Sequence, residues 1–113
     1  MAYQFLHVGI MFPIVARSEG IDNILDMFDA DWVRYAANNW LVWTHRTPEE
    51  LYTVLKPHLF QDEHILVVPI DVTQKNGYLS QWLWEWMEQK LRNPEVTMTE
   101  ILNQLALPNS SGP

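Results

Sequence analysis

The chain has no cysteine. That excludes a disulfide framework and thiolate zinc sites, and a cytoplasmic setting is the expected one. Positive charge is scarce as well: seven Lys and Arg stand against 14 Asp and Glu, for a formal net charge of −7. Phosphate backbones are gripped by Lys and Arg, so nucleic-acid binding is disfavoured, and Arg34, Arg46 and Lys56 are scattered along the chain. No run approaches the ~20 apolar residues of a membrane-spanning helix. The opening residues lack a basic region, and Pro13 and Arg17 interrupt the apolar run there, so no secretory signal is expected. There is no Gly-rich phosphate loop, no nucleophile motif and no internal repeat.

What the chain does have is tryptophan, six in 113 residues. One core of this size does not readily bury them all, and aromatic side chains are enriched at interfaces. A chain of this length is read as one domain, residues 1–107, with 108–113 as a flexible tail. It can bury roughly 65% of its unfolded surface, enough to fold without a metal.

Local structure is most legible between Asn38 and Leu59. Trp32–Ala36 and Trp40–Thr44 are rich in aromatic and β-branched residues and read as strands. Ala37-Asn38-Asn39 between them suits a hairpin loop, since Asn tolerates positive φ. Thr47-Pro48-Glu49-Glu50 then marks a helix start: Thr47 as N-cap, Pro48 in the first turn, Glu50 closing a capping box. Leu51, Val54 and Leu55 form its expected buried stripe, and Pro57 ends it near Lys56.

The rest follows in order. Residues 3–12 alternate: Leu6, Val8, Ile10 and Phe12 on one side, Tyr3, Phe5, His7, Gly9 and Met11 on the other. Both sides are largely apolar, as in a central strand. Pro13 ends it. Ser18 is the expected cap of a helix carrying Ile21, Ile24, Leu25 and Phe28. His64–Asp71 reads as a strand in which Pro69 demands a sheet edge or a bulge. Asn76-Gly77 is a turn. Ser80 is expected to cap a third helix with Leu79, Leu83, Trp86 and Leu91 as its stripe and Trp82 and Met87 alongside; Trp84 lies off it. Thr97-x-x-Glu100 is a second capping box, with Val96 placed to staple onto Ile101 at the start of a helix over residues 98–106.

This order predicts an α+β fold: an antiparallel βαββαβ sheet of ferredoxin-like type, helices on one face, and a C-terminal helical extension. The other face, carrying Phe5, His7, Met11 and alternate hairpin residues, is expected to be bare, apolar and covered by a second copy.

Each cluster able to carry chemistry has a plainer structural reading. His7 could act as ligand or base, and reads first as an interface histidine. His58 and His64 could hold a metal with Asp62 or Glu63, and read first as a solvated turn. Asp22, Asp26, Asp29 and Asp31 lack the glycine of a calcium loop and read as a solvated face. Trp82, Trp84 and Trp86 could stack bases, and read first as core and dimer packing. No cofactor is expected. The candidate interface residues are Phe5, His7, Met11, Trp40, Trp43, Trp82, Trp84 and Trp86.

The runs WLVWT, THRTPEELYTVLKPHL, HILVVPID and GYLSQWLWEWM, spanning about residues 38–88, resemble the SinR-like small proteins. These are relatives of the CRISPR adaptation endoribonuclease-like subunit and of the VapD family. The resemblance implies a ferredoxin-like dimer with edge elements exchanged or paired between protomers. It further implies a place in prokaryotic or phage defence. Active nucleases of that group carry an Asp near the end of the first strand; here Phe5–Pro13 contains no acid. The expected function is therefore binding of another macromolecule by a non-catalytic homodimer. A divergent metal-dependent ribonuclease and an acidic nucleic-acid mimic are the alternatives.

Overall fold

The structure is a computed structural model that describes residues 2–11, 20–28, 30–97, 99–101 and 103. The chain forms two compact units, Met1–Asp71 and Val72–Pro113.

The first unit contains β1 (Gln4–Met11), α1 (Gly20–Met27), β2 (Asp31–Ala36), β3 (Asn39–Thr44), α2 (Pro48–Leu55) with a 3-10 turn at Lys56–His58, and β4 (His64–Ile70). The strands form one antiparallel sheet in the order β2-β3-β1-β4. The architecture is α+β. Pro69 lies in an edge strand, opposite Leu6, where a residue without an N–H is tolerated.

One face of the sheet and the two helices enclose the core. Leu6, Val8 and Ile10 of β1 meet Trp40 and Val42 of β3, Ile21 and Leu25 of α1, and Leu51 and Leu55 of α2. Strand alternation places these sheet residues together, and helical spacing does the same for each helix pair. Val54, expected in the α2 stripe, is exposed instead; Leu51 and Leu55 suffice for a helix of eight residues.

The capping box forms in both halves. The Glu50 amide donates to Thr47 Oγ1, and the Thr47 amide to Glu50 Oε1, each at 3.1 Å. The hairpin differs in detail from its sequence reading. Its turn is Ala37-Asn38, and no described non-glycine residue has positive φ. A register shift lies between Arg34 and Ala36, an irregularity of the kind that bends a strand and increases its local twist. Arg34 also ties the turn, donating from Nε and Nη2 to the Ala37 carbonyl at 2.9 and 2.6 Å.

The second unit contains α3 (Gln81–Arg92). Ser80 occupies its N-cap but its side chain accepts no capping bond. The buried stripe is Leu83, Trp86, Met87 and Lys90; Leu83, Trp86 and Met87 are where the sequence puts them, while Leu79 and Leu91 at the ends of the expected stripe are exposed. Lys90 can enter that stripe because its ammonium donates to the Val96 carbonyl. Beyond α3, the Glu100 amide donates to Thr97 Oγ1 at 3.1 Å, and Val96 and Ile101 are both buried. That is the amide half of the second box. The Ser18 cap, the Pro13 stop, Asp29 and the segment 104–113 lie outside the described residues.

Candidate functional site

The second face of the sheet carries Phe5, His7, Gly9 and Met11 from β1, set against Trp43, Leu41 and Asn39 of β3 and against Ile70, Val68, Leu66 and His64 of β4. The expectation of a bare apolar face is corrected here. Phe5, Val33, Leu41 and Trp43 are all buried. Some of the rings there also pack on one another: Phe5 and Trp43 have ring centroids 4.5 Å apart, and Tyr3 stacks on Trp43 at 5.6 Å.

The eight candidate interface residues therefore separate. Trp40 belongs to the opposite face; it is 0% exposed and its indole donates to Asp22 Oδ1 at 2.8 Å. Phe5, Trp43 and Trp86 are buried, Trp84 is half-buried, and Trp82 is exposed. Trp40 and Trp43 are three residues apart in one strand, so they had to fall on different faces.

His7 is half-buried, and its Nε2 lies 2.6 Å from the Tyr35 hydroxyl. Burial holds the imidazole pKa below its ordinary 6.5 and the phenol above its ordinary 10.0. The pair is thus poised neutral and neutral near pH 7. It is a hydrogen-bonded clasp between the central strand and β2.

Two members of the acidic cluster have structural partners. Asp22 accepts from Trp40 and, at 3.2 Å, from Arg34 Nη1, while Asp26 accepts the Trp32 indole N–H at 3.0 Å. The solvated reading holds for Asp26, which is exposed, and fails for Asp22, which is half-buried. The signal that sequence reasoning passed over was tryptophan on the core-facing parity of two neighbouring strands, since a buried indole N–H needs an acceptor. Among the described residues no group of three or more His, Asp or Glu could hold a metal ion. No helix there is long and apolar enough to cross a membrane.

Apolar side chains stay exposed at the β4 margin. Leu66 is 55% exposed and Met11 56%, with Ile70 on the same face. The two sheet edges differ sharply. β2 carries Asp31, Arg34 and the register shift, features that discourage pairing with another strand. β4 has no Asp, Glu, Lys or Arg between His64 and Ile70 and no shift in its register.

The outward backbone groups of β4 can be assigned. The Ile10 amide donates to the Asn38 carbonyl at 3.0 Å, so even-numbered β1 residues address β3 and odd-numbered ones address β4. Odd-numbered β1 residues sit opposite Ile70, Val68, Leu66 and His64. Those four turn their N–H and C=O groups inward. Ile65, Val67 and Pro69 turn theirs outward, which is also the side on which proline sacrifices no ladder bond. Pro69 pointed to this edge in the sequence; which backbone groups face outward needed the strand order and register.

No protein-family model matches the chain, and neither does any curated protein or solved structure.

Proposed function

We propose that the protein is a ferredoxin-like homodimer that acts by binding another macromolecule rather than by catalysis, as the resemblance to SinR-like proteins implies. The fold reading is supported by the succession β1-α1-β2-β3-α2-β4, the sheet order β2-β3-β1-β4 and the two helices packed on one face. The observation that carries the functional reading is the unguarded β4 edge with Leu66 and Met11 exposed beside it. Monomeric proteins normally blunt such an edge.

Sedimentation velocity of the purified chain, alone and with labelled RNA and DNA, tests this. A dimer that leaves both nucleic acids unshifted is the expected result. A monomer at high concentration overturns the reading. A dimer that shifts RNA, followed by cleavage in magnesium or manganese, replaces it with the ribonuclease alternative.

A further inference from the structure

We propose that the partner on the β4 edge is a second copy of this chain, paired antiparallel with β4 about a two-fold axis at Leu66. The inference rests on the homodimer reading above and adds the surface and the register.

The backbone chooses the register. Ile65 and Val67 each present one outward N–H and one outward C=O. When Ile65 of one protomer faces Val67 of the other, both residues exchange both bonds, and the two-fold repeats the pair. Every outward group of Ile65 and Val67 is then satisfied in both copies. Sliding the partner so that Val67 faces itself sets Ile65 against Pro69, which has no N–H to give. Sliding it the other way, so that Ile65 faces itself, sets Val67 against Glu63. The Glu63 amide already donates to the Phe60 carbonyl at 3.0 Å. Only the register centred on Leu66 leaves no outward group of these two residues unpaired.

The side chains agree with it. Leu66, exposed in the single chain, sits on the axis against its own copy, and His64 faces Val68. A two-fold interface opposes like with like, which penalises charge in a chain of net −7. The strand from His64 to Ile70 has no formally charged residue apart from a protonatable histidine. The other edge would bring Asp31 and Arg34 into the same position.

The absence of native cysteine makes the test direct. Leu66 on the axis forms a non-hydrogen-bonded pair with Cα atoms about 4.5 Å apart, within the span a disulfide bridges. Single-cysteine variants Leu66→Cys, Val67→Cys and Ile65→Cys are treated with a mild thiol oxidant and read on non-reducing gels. Met27→Cys, on an exposed helix position, supplies the collisional background. The expected result is that Leu66→Cys crosslinks roughly tenfold or more faster than Met27→Cys, because a held pair has a high effective concentration. Faster crosslinking at Val67 or Ile65 overturns the register. Rates equal to background in a chain that sediments as a dimer overturn the β4 site and leave the homodimer reading standing. A monomeric wild type overturns both. Leu66 is exposed, so its replacement leaves the folded core intact.

Discussion

Trp40 and Asp22 are joined by a 2.8 Å hydrogen bond from the indole Nε1 to a carboxylate oxygen. The bond binds the centre of the sheet to α1, and Asp22 anchors Arg34 of the neighbouring strand with its other oxygen. The Arg34 guanidinium in turn lies 4.8 Å from the Trp40 ring centroid. One acid thus satisfies a buried donor and pairs a cation stacked on that donor's ring.

Asp22→Ala should therefore cost about 1–3 kcal/mol, the penalty for stranding a buried donor. Asp22→Asn keeps an acceptor for Trp40 while weakening the Arg34 pair, so its loss should be smaller. Urea unfolding followed by tryptophan fluorescence separates the two. Equal midpoints for Asp22→Ala and wild type would show that water replaces the carboxylate without loss.

The capping box gives a second test. Thr47→Ala removes the acceptor for the Glu50 amide and should cost about 1 kcal/mol. The bonds from Arg46 and from Thr47 to the Glu50 carboxylate hold its pKa below the ordinary 4.5. A depressed carboxylate stabilises the fold above its unfolded pKa, and that stability is lost as pH falls from about 4.5 through the lower folded value. Glu50→Gln should flatten this part of the stability-versus-pH curve. A curve with unchanged slope below pH 4.5 would show that the carboxylate contributes nothing there.

How much of this was legible beforehand depended on the range of the signal. The capping box, Pro69 at an edge and the alternation of β1 are local, and each is where the sequence puts it. The fate of the tryptophans was not local. Trp40 and Trp43 looked equivalent until parity assigned them to opposite faces, and Trp86, read both as a stripe residue of the third helix and as a candidate interface residue, is buried. Lys90 in the α3 stripe was hidden because its acceptor, the Val96 carbonyl, lies beyond the helix end. Pro69 pointed to the edge position of β4, but not to what the lack of charge there means: an uncharged strand is unremarkable in sequence and becomes exceptional only where, among the described residues, no strand lies beside it.

His7 and Tyr35 supply a pH-dependent prediction. Burial lowers the His7 pKa below 6.5, so the unfolded chain binds the proton more tightly than the folded one. Stability is fully present above pH 6.5 and falls as pH drops from there through the lower folded pKa. The imidazole resonances should titrate with a midpoint below 6.5. Tyr35→Phe removes the 2.6 Å hydrogen bond but leaves the burial, so the midpoint should stay depressed while stability drops by at most about 1 kcal/mol. A midpoint above 6.5 in the wild type would mean that the protonated ring has a partner, and the neutral clasp would be wrong.

The last prediction concerns Lys90, 3% exposed in the second unit and donating to the Val96 carbonyl. Its stem fills a position on the α3 stripe beside Trp86 and Met87, and its head closes the chain back onto the helix. Lys90→Met preserves most of the apolar volume and removes the donor. The Val96 carbonyl then lacks its partner, at a cost of about 1–3 kcal/mol. Lys90→Ala adds a cavity and should be worse by about 1 kcal/mol or more. Amide exchange gives the local readout: the Ile101 and Glu100 amides, bonded to Thr97 at 3.1 Å, should exchange faster in Lys90→Met. If both variants match the wild type in stability and exchange, the buried ammonium is not what ties residues 96–101 to α3.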